Sequence, residues 1–376
     1  MWIEQRANGK YRYSERYTDP YTGKSRRVSV TLDNKTRQTQ KEAQYTLNNK
    51  IADALNKVQL KNPDITLKEL YDEWYKTYRL QVAEGTYIPT KDMLKAPLKD
   101  LGHDSLVNKI DYVLINKILD SYIYDKGLSN RYVSIIKSKL NQMMKYAVRK
   151  GYIIDNPIDK VDLNFKRNTA GQKIKDKYLE DDEYQKLIEY TDQKNKRYSL
   201  FFQWLYLTGM RAGEGVALQK SDIFQRDGEW IAQVSGTILY KERKVSDMKK
   251  SEMPKTAAGF RDVTLSSKTV EIYQSLLEMN PAGDFLFQTS KGTPFHLSAI
   301  NTFLRNHKSK MGLPEDKPLS SHIFRHTHIS KLAEIGVPMY VIQERVGHED
   351  SKVTQQIYLH VTKKAKEKLS TNLELL

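Results

Sequence analysis

The chain has 376 residues, no cysteine, and 62 Lys and Arg against 46 Asp and Glu, a formal charge of +16. Disulfides, thiolate metal sites and a cysteine nucleophile are thereby excluded, and neither an apolar signal core nor a run near the ~20 apolar residues of a membrane span is present. Such a length favours two or three domains, and such a charge points to a polyanion in the cytoplasm, with a basic but merely soluble protein as the alternative.

Residues 1–60 hold 12 Lys and Arg against 6 Asp and Glu, so +6 of the charge lies in a small N-terminal module. Asn8-Gly9 is a two-residue hairpin signal, and Asp19-Pro20-Tyr21-Thr22-Gly23 a longer turn. Between and beyond them, Tyr11-Arg12-Tyr13 and the run from Arg26 to Leu32 read as strands. The expectation is a three-stranded sheet followed by a helix from about Gln38 to Leu60. Arg12, Arg26 and Arg27 beside tyrosines suit groove or phosphate contacts, and a solvated charged face is the other reading.

Asn62-Pro63 ends the module, and Thr66 with Glu69 forms a capping box before Leu70, Tyr71, Trp74 and Tyr78. Helical periodicity continues to Gly151 and is clearest after Ser129, where Val133, Ile136, Leu140, Met143 and Ala147 mark one face. Lys137 and Lys139 lie off that face, as DNA contacts or as a solvated surface. Residues 156–177 lack such periodicity and carry Lys166, Arg167, Lys173, Lys175 and Lys177, which reads as a basic linker able to follow a phosphate backbone. Asp181, Asp182 and Glu183 then crowd the first turn of a helix, and a largely helical segment to residue 376 is broken by one strand-like stretch, Trp230 to Leu265.

The chemistry concentrates between positions 322 and 358: His322-Ile323-Phe324-Arg325, Gly347-His348 and Tyr358. A tyrosine phenol has an ordinary pKa near 10, so its deprotonation at pH 7 costs about 4 kcal/mol and needs a base. Histidine suits that task, arginine suits the oxygens of a phosphodiester, and lysine or histidine can protonate a leaving oxygen. His322 and Arg325 share a helix face, and Tyr358 falls ten residues after His348. Each has a plainer reading, since Tyr358 is one of 24 tyrosines and Lys255 competes with Lys249 and Lys250. His322, His326 and His328 could hold a metal, but no Glu or Asp joins them as in a His-Glu-x-x-His helix. Thr22-Gly23-Lys24-Ser25 ends like a phosphate-binding loop but has Thr18 where the first glycine belongs.

Four ordered segments resemble the tyrosine recombinases of the phage integrase family. Leu207-Thr208-Gly209-Met210-Arg211-Ala212-Gly213-Glu214, with Leu218 and Asp222, is similar to that family's first arginine box. Pro254-Lys255-Thr256 leading to Gly259-Phe260-Arg261-Asp262-Val263 looks like its lysine hairpin. His322 to His328 resembles the second box, and Gly347-His348, Thr354 and Tyr358-Leu359-His360 the last.

The resemblance implies an α+β multidomain chain: an arm-type DNA-binding domain of a three-stranded sheet and helix (1–60), an all-α core-site-binding domain (61–155), the basic linker (156–177), and a mainly α catalytic domain with a small antiparallel sheet (178–376). By the same resemblance Tyr358 attacks the scissile phosphate to form a 3′-phosphotyrosyl link, Arg211 and Arg325 clamp the non-bridging oxygens, and His348 adds a hydrogen bond. Lys255 protonates the leaving oxygen, His322 serves the tyrosine as acid-base partner, and Glu214 supports the site. It implies no metal or other cofactor, double-stranded DNA with core and arm attachment sites as substrate, and a homotetramer on synapsed DNA. Excisionase and DNA-bending proteins would be accessory partners, and the setting is the nucleoid of a bacterial host. A chromosome-dimer resolvase of the Xer kind, a type IB topoisomerase and a non-catalytic DNA-binding regulator are the alternatives. Gly213 and Gly215 depart from the larger residues common in the family, and each costs a helix interior about 1 kcal/mol, so the helix after Arg211 is expected to start late or stay pliable.

Overall fold

The computed structural model describes residues 1–19, 22–56, 64–167, 174–240, 244, 247–251, 260–347 and 352–373, with 363–373 as backbone only. The chain forms two compact units, residues 1–81 with 89–166 and residues 82–88 with 167–376. No helix among the described residues is long and apolar enough to cross a membrane.

In the first unit, β1 (Trp2–Gln5), β2 (Tyr11–Thr18) and β3 (Ser25–Leu32) form an antiparallel sheet in the order β1-β2-β3. The first connection turns at Asn8-Gly9, where Gly9 takes a φ of 78° that a side chain would disfavour. Alternation sends Tyr11, Tyr13, Val28, Val30 and Leu32 to one face, where Ala43 and Leu47 of α1 (Arg37–Asn56) complete a small core. Tyr13 is fully buried and its hydroxyl donates to the Asn34 carbonyl at 2.9 Å, which fixes the approach to α1. The expected end of that helix, about Leu60, and the module's end at Asn62-Pro63 lie outside the described residues.

Four further helices follow: α2 (Leu67–Gln81), α3 (Glu84–Leu101), α4 (Tyr112–Tyr124) and α5 (Asn130–Lys150). The capping box forms, with the Thr66 amide donating to Glu69 at 2.9 Å and the Glu69 amide to the Thr66 hydroxyl at 3.3 Å. Ser129 caps α5, and its predicted apolar stripe is the buried one. Residues 156–166, expected as linker, are instead tied to α5, and Asn156, Ile158 and Val161 among them are buried. Asn156 caps a short 3-10 turn (Pro157–Lys160), and the Lys137 ammonium donates to the Val161 carbonyl at 2.6 Å. Asn130 holds the backbone of Lys166 through its side-chain amide.

The second unit is helical around one three-stranded sheet. Helices α6 (Asp181–Lys194), α7 (Lys196–Thr208) and α8 (Ala212–Ala217) lead to β4 (Ile223–Arg226) and β5 (Glu229–Val234). A short pair, β6 (Ile238–Leu239) with β7 (Lys249–Lys250), precedes β8 (Arg261–Thr264), which returns to pair with β5. The strand-like stretch therefore divides between two sheets and extends back to Ile223. Then come α9 (Ser267–Met279), α10 (Leu297–His307), α11 (His322–Glu334), α12 (Met339–Val346) and α13 (Lys352–Leu373). Phe201, Phe202, Trp204, Phe287, Phe295 and Phe324 centre the main core. A second cluster, with Tyr178, Ile329, Ala333, Ile342, Val346, Ile357 and Val361, locks α13 to α11 and α12.

Candidate active site

Helix α7 ends at Gly209, whose φ of 67° turns the chain so that Arg211 leaves the turn in extended conformation and caps α8. A Cβ on Gly209 would lie 2.5 Å from the His328 ring, so the left-handed turn and the close approach both require glycine here. Contrary to expectation, α8 begins at once after Arg211. Its two glycines answer to packing: a Cβ on Gly213 would stand 2.7 Å from the Thr237 hydroxyl, and one on Gly215 would stand 3.0 Å from the Phe201 ring.

Glu214 sits three residues into α8 and is almost wholly buried. Its carboxylate accepts from the Arg211 amide at 2.9 Å and from Arg211 Nη1 at 2.7 Å. It also accepts from Arg261 Nη2 at 2.8 Å. Burial alone would lift the Glu214 carboxyl, but the Arg261 and Arg211 guanidiniums outweigh it and hold it below its ordinary value. Arg211 remains about a third exposed, and its other terminal nitrogen, Nη2, donates to the Gly347 carbonyl at 3.0 Å.

Arg325, on the first turns of α11, is 2% exposed. Its Nη1 donates to the Gly209 carbonyl at 2.8 Å, joining α11 to the turn that carries Arg211. Its Nε and Nη2 are buried without a partner among the described residues. A buried guanidinium short of two acceptors is a costly state in a finished protein, and a tetrahedral anion could supply both. Burial, with Arg211 beside it, pushes the Arg325 guanidinium down to about 9, so it is still charged at neutral pH.

Two residues that sequence reasoning left without a role complete the surroundings. Arg261, at the start of β8, also donates through Nε to the Arg345 carbonyl at 2.9 Å. Arg345 donates through Nε to His328 at 3.1 Å and through Nη2 to the carbonyls of Leu207 and Thr264. His328 gives its Nδ1 proton to the Tyr206 carbonyl at 2.7 Å, which leaves Nε2 as acceptor and the ring neutral. Burial and then Arg345 push the His328 imidazole down to about 3. Four guanidiniums are therefore linked in this region to one carboxylate, Arg211 and Arg261 bonding it directly, with three positive charges left over. The signal for Arg261 was its period-two alignment with buried Val263 on β8, an inward arginine that demands a buried carboxylate.

Tyr358 lies on α13 between buried Ile357 and Val361 and is itself partly buried against the cluster shared with α11. His322 is exposed at the first position of α11. Lys255 and His348 lie outside the described residues. His326 does not join a metal group: its Nδ1 bonds the Lys177 carbonyl at 3.0 Å, burial pushes it down to about 4, and no metal-holding cluster of His, Asp and Glu occurs among the described residues.

The expected DNA contacts fare differently. Arg12 and Arg27 share the sheet face turned away from α1, with Arg16 opposite Arg27 across the strands. Arg26 points to the other face and pairs with Asp19 at 2.8 Å. Lys137 is held by the Val161 carbonyl, and Lys139 donates to the Tyr78 hydroxyl at 2.9 Å. Lys166 and Arg167 are exposed.

A family model described as the phage integrase family matches residues 177–365. The prophage ps2 probable integrase of Lactococcus lactis subsp. lactis (strain IL1403) is 34% identical over 382 residues, covering 97% of each chain. The Tn1549 transposon integrase in complex with a circular intermediate DNA matches with a TM-score of 0.64 at 18% identity, over 81% of this chain and 99% of that one. A lambda integrase tetramer bound to a Holliday junction matches with a TM-score of 0.60 at 20% identity, over 94% of each chain. At these identities the two structures show a shared fold.

Proposed function

This chain belongs to the phage integrase family and is a site-specific tyrosine recombinase, and we propose that it integrates and excises a mobile element by cutting DNA through Tyr358. The Tyr358 oxygen attacks the scissile phosphorus, the bond to the 5′ oxygen breaks, and a 3′-phosphotyrosyl link holds the strand. His322 takes the phenolic proton, and Lys255 gives one to the leaving 5′ oxygen. Arg211 and the two unpartnered nitrogens of Arg325 hold the non-bridging oxygens, with His348 adding a hydrogen bond. The phosphotyrosine conserves the energy of the broken ester, so a 5′ hydroxyl from a partner duplex can reverse the step without ATP.

The observation that carries this reading is Arg325: buried, charged, and lacking acceptors for Nε and Nη2 among the described residues, beside an Arg211 that Glu214 holds in place. Mass spectrometry of the covalent peptide formed on a nicked duplex bearing the cognate core site tests it. The adduct is expected at Tyr358, and an adduct on any other residue would overturn the assignment. Adduct yield is also expected to be unchanged by excess chelator, because the guanidiniums supply the charge a metal would bring. A loss restored by magnesium would point to a metal-dependent nuclease instead.

The assembly is a homotetramer on two synapsed duplexes, acting at the nucleoid in the bacterial cytoplasm, with excisionase and DNA-bending proteins setting direction. Residues 1–60 read arm sites, 61–155 grip the core site, part of 156–177 joins them to the catalytic domain, and residues 178–376 catalyse. The small core formed by Tyr13, Ala43 and Leu47, which leaves Arg12 and Arg27 on an open face, supports the arm assignment. Replacing both Arg12 and Arg27 with alanine is expected to weaken arm-site binding and lower the slope of log K against log salt by about 2. Fluorescence anisotropy across a salt series measures this, and an unchanged slope would remove those residues from the interface.

A further inference from the structure

Arg211 is the more exposed of the two proposed clamp residues, and a flexible arginine at a surface loses much of its value as a clamp. What fixes it is Glu214, through the 2.7 Å bond to Nη1 and the 2.9 Å bond to its amide. Glu214 in turn is not held by Arg211 alone. Arg261 donates to the same two oxygens, through Nη2 at 2.8 Å from Oε2 and with its Nη1 at 3.4 Å from Oε1. Without Arg261 the carboxylate would keep only its bonds to Arg211, and a buried carboxylate would have one cation in place of two.

Arg261 reaches a second part of the same site. Its Nε donates to the Arg345 carbonyl, while Arg211 Nη2 donates to the Gly347 carbonyl two residues on. One short segment, the end of α12 that leads in sequence to His348, is therefore held by both arginines. The planar fork of Arg261 spans the Glu214 carboxylate and the Arg345 carbonyl at once, with its side chain 7% exposed.

We propose that Arg261 is a positioning residue for phosphodiester cleavage: it orients Arg211 through Glu214 and fixes the Arg345–Gly347 turn. It touches neither the phosphate nor the tyrosine. The proposal rests on the reading of Arg211 and Arg325 as the phosphate clamp. Beyond that reading, it states that clamp strength depends on a strand residue that never meets the DNA.

The test compares full-length wild type, Arg261→Gln and Arg261→Lys on a nicked duplex carrying the core site, with the scissile phosphate either native or replaced by a neutral methylphosphonate. Rates of covalent adduct formation and affinities for the same duplex are measured. Arg261→Gln is expected to cleave the native phosphate about 10–100-fold more slowly, with binding changed less than about threefold, since many other phosphate contacts remain. On the methylphosphonate, which carries no charge to clamp, the variant is expected to approach the wild-type rate. Arg261→Lys should recover only part of the native rate, because a point charge cannot bridge carboxylate and carbonyl as a fork does.

An equal deficit on both substrates would mean a merely structural role and overturn the proposal, as would a native-phosphate rate equal to wild type. If Arg261→Gln loses its cooperative melt, Arg261→Lys decides by the same split: slow on phosphate and restored on methylphosphonate supports the proposal, and slow on both refutes it. A wild type that forms no adduct at Tyr358 would bring down the recombination chemistry itself, an outcome separate from either variant's behaviour.

Discussion

Tyr358→Phe is expected to form no covalent adduct on a nicked core-site duplex, a loss of at least about 10⁴-fold, while binding that duplex as wild type does. Only one oxygen is removed. The helix that carries it is anchored by Ile357 and Val361 on either side, at 0% and 3% exposure, so the backbone beneath residue 358 keeps its place. The ring's own packing against the α11 and α13 cluster is preserved by phenylalanine, and the thermal midpoint should move by no more than about 2 °C. Gel separation of covalent species with an anisotropy titration provides both readouts. A surviving adduct would place the nucleophile on another of the 24 tyrosines, and joint loss of adduct and binding would make Tyr358 a residue of the DNA interface instead.

The second large effect concerns Arg325, and its two consequences have opposite signs. Arg325→Met removes charge and donors from the proposed phosphate site, so cleavage should fall by about 10²–10³-fold or more. The free protein should nonetheless become more stable, by about 1–3 kcal/mol, once the cost of leaving the Gly209 carbonyl without its donor is subtracted. The reason is electrostatic. Burial, and then Arg211, bring the folded-state value down to about 9, below that of the unfolded chain. Folding therefore disfavours the charged form, and the penalty is fully present below pH 9. It fades as pH rises above that value, so the stability gap between variant and wild type should narrow between pH 9 and 11. Sulfate offers acceptors to Nε and Nη2, and it should raise the melting temperature of wild type and leave that of the variant unchanged. A variant that melts lower than wild type, with no sulfate effect on either, would make Arg325 a structural residue.

Much of this arrangement is local enough to be read from sequence. The turn at Asn8-Gly9, the caps at Thr66 and Ser129, and the apolar stripe of α5 depend on residues within a few positions of each other. Arg211 and Glu214 are three apart, and the structure brings them into an ion pair for the same reason. Arg261 and Arg345 escaped because their partners are distant in the chain: Glu214 is 47 residues from Arg261, and the Arg345 carbonyl is 84. The anchoring of residues 156–166 escaped for another reason. Lys137, Asn130 and Asn156 hold that segment through backbone groups, and such bonds leave no periodic trace in side-chain hydropathy. Gly213 and Gly215 read as weak points by propensity, because the Thr237 hydroxyl and Phe201 ring that exclude a Cβ come from other elements.

The shared carboxylate of Glu214 also has a meaning for descent. Because it takes bonds from both Arg211 and Arg261, neither position 214 nor position 261 can drift alone. Loss of Arg261 would leave Glu214 with a single cation, and loss of Glu214 would leave two arginines facing each other in a buried space. A lineage can pass through such a state only by changing both residues, or by recruiting a new cation from elsewhere in the fold. Relatives of this chain should therefore inherit Glu214 and Arg261 together or lack them together. A selection for revertants of a Glu214 defect should return changes on β8 as often as changes in α8.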